Sequence, residues 1–300
     1  MFRHLLVPLD GSGLAEAVLP ATGALAGRLG ARVTLLHVLE HGAPETVHGE
    51  PHLTRSQDAQ AYLEGVAKRL AAQGITAECV VDHEREDVAR TIAARGATQG
   101  ADLIVICTHG YGGLRDLLFG RVAQQVLGSG TIPVLLVRPA NGEHPPFTCR
   151  RILVPLDGTG PSEAALPVAS ALAQAFGAEV VLVHVVPTLM TLPGDRAAAA
   201  QLMPTAAAAM LDAEAERAAT YLEGLRGRVD ATGINAHAMV ERGESVQALV
   251  AAATAHRVDL VVMATHARAG MAAVWTGSVA ARLLPHMAAP VLLVRAPTAE

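Results

Sequence analysis

Apolar positions in the first 140 residues fall in short unbroken runs, separated by longer stretches of helical character. The runs His4–Leu9, Arg32–Val38, Thr76–Val81, Asp102–Cys107 and Val134–Val137 are apolar throughout rather than at alternate positions. Such runs mark parallel strands covered on both faces. Ala-rich stretches between them predict helices over roughly Gly13–Leu29, Thr54–Gln73, Asp87–Thr98 and Arg121–Leu127. Strand and helix alternating in this way predict an α/β fold, a doubly wound parallel sheet with right-handed crossovers. Pro20 falls inside the first helix, and Pro167 falls at the same place in a second copy of the pattern. Proline in a helix interior removes a hydrogen bond, so a bend or a late helix start is expected there.

That second copy is explicit. Arg3 to Glu40 aligns without a gap on Arg150 to Pro187, with 21 of 38 pairs identical. LLVPLDGSG (Leu5 to Gly13) matches ILVPLDGTG (Ile152 to Gly160), ADLIVICTHG (Ala101 to Gly110) matches VDLVVMATHA (Val258 to Ala267), and PVLLVR occurs at Pro133 and again at Pro290. The offset is 147 in the first match and 157 in the other two, so the second copy carries about ten extra residues in its middle. Ala140 to Cys149, with Gly142 and Pro145-Pro146, has the composition of a linker. The expected organisation is two tandem five-stranded domains, residues 1–140 and 150–297.

Composition narrows the function classes. A chain of 51% hydrophobic and 17% charged residues can bury a sizeable core, and with 3% aromatics that core is built from Ala, Val and Leu. A net charge of −5 with scattered basic residues argues against nucleic acid or an anionic membrane as partner. No apolar run approaches the length of a membrane span, and the chain passes from Met1 straight into strand, so the cytoplasm is the expected location. Cys79, Cys107 and Cys149 form no CxxC pair; Cys79 and Cys107, inside apolar strands, are expected to be buried reduced thiols.

In doubly wound sheets, ligands bind beyond the carboxyl ends of the strands where strand order reverses. The polar turns follow strand one (Asp10-Gly11-Ser12; Asp157-Gly158-Thr159) and strand four (Thr108-His109-Gly110; Thr265-His266-Ala267). Neighbouring strands one and four would bring both turns to one crevice, although Asp-Gly-Ser also makes an ordinary turn and helix cap. His109 and His266 are expected to be turn residues, and His37 and His184 structural ones. His41, His48 and His52 with Glu45 and Glu50 have loop spacing too unspecific for a metal site. No nucleophile–base pair emerges.

These motifs together resemble the universal stress protein family, in particular its tandem two-domain members: V-P-L-D-G-S/T, L-L/V-H-V, D-L-I/V-V-x-x-T-H, G-S-V-A and the final P-V-L-L-V-R. The resemblance implies a Rossmann-like, adenine nucleotide α-hydrolase-like fold. It implies a cytoplasmic stress-response module binding ATP or a related adenine nucleotide, with or without Mg, and having no dedicated catalysis. It also implies that Asp10 and Asp157 approach the nucleoside, and that the backbone of Val38 and Val185 meets the adenine edge. The family pattern G-x2-G-x9-G-S/T falls here on Cys107, Gly110, Gly120 and Arg121, and in the second copy on Ala264, Ala267, Gly277 and Ser278, with Val279 following. Each copy keeps two of four positions. Arg121 is unfavourable at a helix start but able to pair with a phosphate, whereas Gly277-Ser278-Val279 is intact. The final strands imply an intramolecular pseudo-dimer, and a homodimer is a further partner arrangement. Two alternatives remain: a family member that binds no nucleotide and serves as an interaction protein, and a slow ATP hydrolase related to the ATP pyrophosphatases. Pro8-Leu9-Asp10-Gly11-Ser12 is not the Ser-Gly-Gly-rich loop of those enzymes.

Ala267 stands where the pattern has the glycine nearest the phosphates. If the position requires positive φ, alanine costs on the order of 1–2 kcal/mol there, about a tenfold loss of affinity. Ala267→Gly is therefore expected to tighten nucleotide binding about tenfold by isothermal titration calorimetry; unchanged affinity would remove the second crevice from consideration.

Overall fold

A computed structural model describes residues 1–42, 46–47, 50–83, 87–108, 120–129, 131–139, 146–192, 194–265 and 278–296. In the first half the strands are β1 (His4–Pro8), β2 (Arg32–Leu39), a two-residue pair β3 (Thr46–Val47) and β4 (Glu50–Pro51), β5 (Ala77–His83), β6 (Leu103–Cys107) and β7 (Val134–Val137). The second half contributes β8 (Arg151–Pro155), β9 (Glu179–Val186), β10 (Ala236–Arg242), β11 (Leu260–Thr265) and β12 (Val291–Arg295). Helices are α1 (Leu19–Leu29), α2 (Ser56–Ala71), α3 (Val88–Gln99), α4 (Arg121–Ser129), α5 (Ala165–Phe176), α6 (Gly194–Leu202), α7 (Pro204–Asp230), α8 (Ser245–Ala255) and α9 (Val279–Leu283).

Ten strands form one sheet in the order β10-β9-β8-β11-β12-β7-β6-β1-β2-β5. Within each half of this sheet every pairing is parallel, and β3 and β4 pair antiparallel apart from it. The join is antiparallel, with Val291 opposite Leu136, Leu292 opposite Leu135 and Leu293 opposite Val134. Two identical PVLLVR segments thus pair edge to edge, and Arg138 Nη1 donates to Pro285 O across the join at 3.0 Å. An edge strand is a template for pairing, and each half uses its own to satisfy the other.

Alternate residues along each strand feed two helix layers. Leu5 and Val7 face one apolar layer, together with α1, α2, α5 and α7, whereas Leu6 faces the other with α3, α4, α8 and α9. Both layers run through both halves, which explains why the strand runs are apolar at every position. The prolines behave as expected: a 3-10 turn, Ala15–Val18, comes first and Pro20 enters the first turn of α1. Pro167 lies in the first turn of α5, where no N–H is required. Asp87 caps α3 by accepting from Arg90 N. The cysteines differ from expectation: Cys149 is buried, but Cys79 and Cys107 are only partly so, because Cys79 lies on the edge strand β5 and Cys107 is the last residue of β6. No described helix is long and apolar enough to cross a membrane.

His4 opens β1 and is 3% exposed. Arg32 Nη2 lies 2.9 Å from its Nδ1, and its Nε2 lies 2.8 Å from Thr34 Oγ1. Nδ1 also lies 3.2 Å from Gln99 O, and the guanidinium beside the ring opposes a positive charge on it. Burial first, and then Arg32, hold this imidazole below its ordinary 6.5. The unfolded chain binds a proton here that the folded one refuses, so stability rises with pH across this window. The contribution is present above about pH 6.5 and is lost as the pH falls toward the depressed folded value. Urea midpoints are expected to fall between pH 7 and pH 5 by less in His4→Gln than in the parent; equal falls would exclude His4 as a source.

Candidate functional site

The strand order places β1 between β2 and β6, with Leu5 opposite both Val33 and Leu103. In the second half β8 lies between β9 and β11. Strands one and four are therefore neighbours in each half, and the turns after them open at the same place.

The first turn is built alike in both halves. Asp10 Oδ1 accepts from Ser12 N at 2.9 Å and Ser12 Oγ at 2.6 Å. Asp157 Oδ1 accepts from Thr159 N and Oγ1 at the same distances. Gly11 and Gly158 take φ of +95° and +82°, the left-handed backbone that lets the chain turn back onto its own carboxylate.

A cavity of about 270 Å³ opens at the switch point of the second half. Asp157, Val185, Ala264, Ser278 and Val279 all line it, as the motif spacing requires. Ser278 Oγ accepts from Ala281 N at 3.1 Å and so caps α9. Leu156 N donates to Val183 O; two residues on, the carbonyl of Val185 lies on the same strand edge and is aimed past the end of β8. Of the polar lining residues, Ser162 and Ser245 escaped the sequence reading, and Thr265 was read only as part of the crevice turn. Thr265 Oγ1 is fully buried without a hydrogen-bond partner, on a residue 5% exposed. It ends β11 inside the T-H motif, where it passes for a turn residue. Ala267, Gly277 and His266 lie outside the described residues.

The first half carries Asp10 in its turn, Val38 near the end of β2 and Cys107 at the end of β6. Gly120 N donates to Thr108 O at 2.7 Å, which brings the start of α4, where Arg121 stands, against the end of β6. Gly110 and His109 lie outside the described residues. The surroundings differ from those of the second half. The segment after β3 folds back over the turn: Gly13 N donates to Glu50 Oε1 at 2.9 Å, and a Cβ on Gly11 would stand 2.7 Å from Leu53 Cδ1. His37, 1% exposed, lies between Leu9 O at 2.8 Å and Leu53 O at 3.1 Å, which ties this strap to the turn. Ser12 is buried and Val38 is 7% exposed, whereas Thr159 and Asp157 are exposed and Val185 is half-buried. His184, the counterpart of His37, is held below its ordinary range by burial, against the opposing pull of Asp157, Glu214 and the Leu156 backbone.

A clamp behind each turn was also missed. Arg228 Nη2 donates to Glu163 Oε2 at 2.7 Å, and Tyr221 Oη donates to Glu163 Oε1 at 3.1 Å. Arg69 pairs with Glu16 in the same manner, with Tyr62 buried beside them. Burial, and then Glu163, push the Tyr221 phenol up to about 12; burial and Glu16 likewise raise that of Tyr62. These contacts tie α2 and α7 to the 3-10 turns that follow Asp10 and Asp157. The signal was present in the sequence as a repeated Tyr-Leu-Glu-Gly at Tyr62 and Tyr221. Among the described residues no cluster of three His, Cys, Asp or Glu could hold a metal ion.

Comparison with known proteins agrees with this architecture. A universal stress protein of Mycolicibacterium smegmatis is 26% identical over 307 residues, 97% of this chain and 96% of that protein. Universal stress protein YxiE of Bacillus subtilis is 28% identical over 150 residues, which is 46% of this chain and the whole of YxiE. The crystal structure of a universal stress protein from Archaeoglobus fulgidus shares the fold with a TM-score of 0.71 at 20% identity, over 99% of this chain and 97% of that one. The sequence profile of the Universal stress protein family matches residues 1–138 and again 148–295. Matched twice along its length and built as two copies of one doubly wound unit, the chain belongs to the universal stress protein family.

Proposed function

We propose that this protein is a nucleotide-responsive binding module that takes ATP or a related adenine nucleotide in the crevice of its second half, without dedicated catalysis. The observation that carries this is the switch-point cavity that Asp157, Val185, Ala264, Ser278 and Val279 line together, with the unpaired hydroxyl of Thr265 buried in its wall. Val183, Leu249 and Met263 give that cavity an apolar lining, and Thr265, Ser162, Asp157 and the Val185 carbonyl supply a few polar groups. An apolar slot with a few fixed polar groups suits a planar heterocycle that has a hydrogen-bonding edge. A volume of about 270 Å³ accommodates the nucleoside and leaves the phosphates to the mouth, beside Ser278. Among the described residues Asp157 is the one carboxylate in the lining, and its Oδ1 is committed to the turn. A Mg ion would enter on the phosphates rather than on a protein site. The stress-response role follows from the family, and the expected cytoplasmic location belongs to the same proposal.

Thr265→Val separates a ligand group from a structural one. Removing an unpaired buried hydroxyl is expected to leave the melting temperature of the ligand-free protein unchanged or raised. Loss of one hydrogen bond to the ligand weakens adenine nucleotide binding by up to about tenfold in calorimetry. Full affinity in the variant, or no binding of ATP, ADP or AMP by the parent, would refute the proposal.

A further inference from the structure

A second cavity, about 510 Å³ in volume, opens on the seam between the halves. It lies at the amino end of β8, whose carboxyl end borders the crevice proposed for the nucleotide. Its walls are the end of α1 at Gly27 and Arg28, the incoming chain at Phe147, Cys149 and Arg150, and Phe176 at the end of α5. The size is that of a small-molecule site.

Two guanidiniums in this lining have no carboxylate partner among the described residues. That of Arg28 has only the ring of Phe176, with 5.9 Å to the centroid. Arg150 reaches Asp259 through its backbone alone: Oδ1 of that carboxylate accepts from Thr148 Oγ1, and Oδ2 accepts from Arg150 N and Arg151 N. The dipole at the C-terminus of α1 favours a cation at Arg28 but supplies only about half an elementary charge. Cys149 brings no charge, because burial and then Asp259 push its thiol up to about 12. Two uncompensated positive groups in a chain of net charge −5 attract an anion to this groove.

Phe147 and Phe176 add an apolar corner. Their rings meet edge to face, with centroids 6.2 Å apart and planes at 78°, and both are half-buried. Such a corner suits a further flat ring, which stacks on one phenyl and presents an edge to the other. Duplication alone does not produce the groove. In the gapless alignment Gly27 and Arg28 stand against Gln174 and Ala175, and Phe176 stands against Leu29. A Cβ on Gly27 would meet nothing within 4 Å, so alanine would fit and would suit the helix better. Glycine leaves that space to the groove.

The geometry points to this groove as a binding site for a small aromatic acid. Arg28 and Arg150 take its carboxylate or phosphate, for which guanidinium is well matched, and its planar body lies against Phe147 and Phe176.

Isothermal titration calorimetry of the full chain with 2-naphthoate and 2-naphthyl phosphate tests the site. At least one of them is expected to bind, and uncharged 2-naphthol to bind about tenfold more weakly or less. Whichever acid binds more tightly tells carboxylate from phosphate. Arg28→Gln and Arg150→Gln are each expected to weaken binding about tenfold or more. Both side chains are exposed, so melting temperature should change little. Gly27→Leu fills the groove from a helix position with room for a side chain, and is expected to abolish binding without lowering the melting temperature. None of these residues lines the crevice of the second half, so adenine nucleotide affinity should stay at the parent value. A parent that binds neither acid, 2-naphthol binding as tightly as the acids, or binding that survives the three substitutions would overturn the proposal.

Discussion

Strands β8 and β11 lie side by side although about a hundred residues of chain separate them. The helices that follow them leave on opposite faces of the sheet, α5 into one apolar layer and α9 into the other. Backbone that departs in opposite directions from adjacent strand ends leaves a gap between them, and no side-chain choice can close it entirely. Sequence decides only how that gap is lined. A turn that hydrogen-bonds its own aspartate keeps the β8 side rigid, and a serine-capped helix start borders the other. The β1–β6 pair obeys the same geometry, so the polar motifs fall at equivalent places in both halves.

Duplication exposes which features the fold demands and which it tolerates. The Asp-Gly turn and the Tyr–Glu–Arg clamp behind it occur in both halves, with matching hydrogen bonds in the turn and the same Arg–Glu pairing in the clamp. What differs is the connection after the second strand. In the first half it is a strap folded over the turn, anchored by Glu50 on Gly13 N and by His37. In the second half it becomes the helical hairpin α6–α7, which leaves Asp157, Gly158 and Thr159 exposed. One insertion thus uncovers a turn and creates an apolar surface together. The connection between strand two and its helix is the freest part of the domain, because its ends are held by the sheet and the clamp alone.

Much of the fold was legible because parallel strands covered on both faces leave a dense apolar signature; β7 matches its expected span fully, and β1, β2, β5 and β6 match theirs to within two residues. The prolines were legible as a late helix start because only the first turn of a helix has N–H groups to spare. Five candidate residues of the second half line one cavity, since motif spacing fixes positions on strand ends that topology then brings together. Thr265 and the clamp were not legible for a different reason. A buried hydroxyl and a turn hydroxyl look alike in a sequence, and Glu16 meets Arg69 only through packing between elements 53 residues apart. The partial exposure of Cys79 and Cys107 was missed because apolar neighbours in sequence reveal neither which strand takes the sheet edge, as β5 does, nor where a strand ends, as β6 does at Cys107.

The two halves also settle their buried polar groups differently, and this sets how each can respond to a ligand. In the first half the imidazole of His37 bridges the chain's own carbonyls, and the Gly13 N–H meets a carboxylate of the same chain. Buried side-chain atoms without a partner occur in both halves, among them His52 Nδ1, Tyr62 Oη and Gln99 Oε1 in the first, but in the second half one of them, the hydroxyl of Thr265, belongs to a residue that lines the switch-point cavity. An unpaired buried polar group costs on the order of 1–3 kcal/mol. The ligand-free second half therefore carries a standing cost that a molecule with a complementary hydrogen-bonding edge removes. A site satisfied by its own strap gains less from the same molecule, because the strap contacts must first be given up. Under the proposed nucleotide binding, unequal response from a duplicated fold would follow from where each half has placed its hydrogen bonds, with no difference in topology between them.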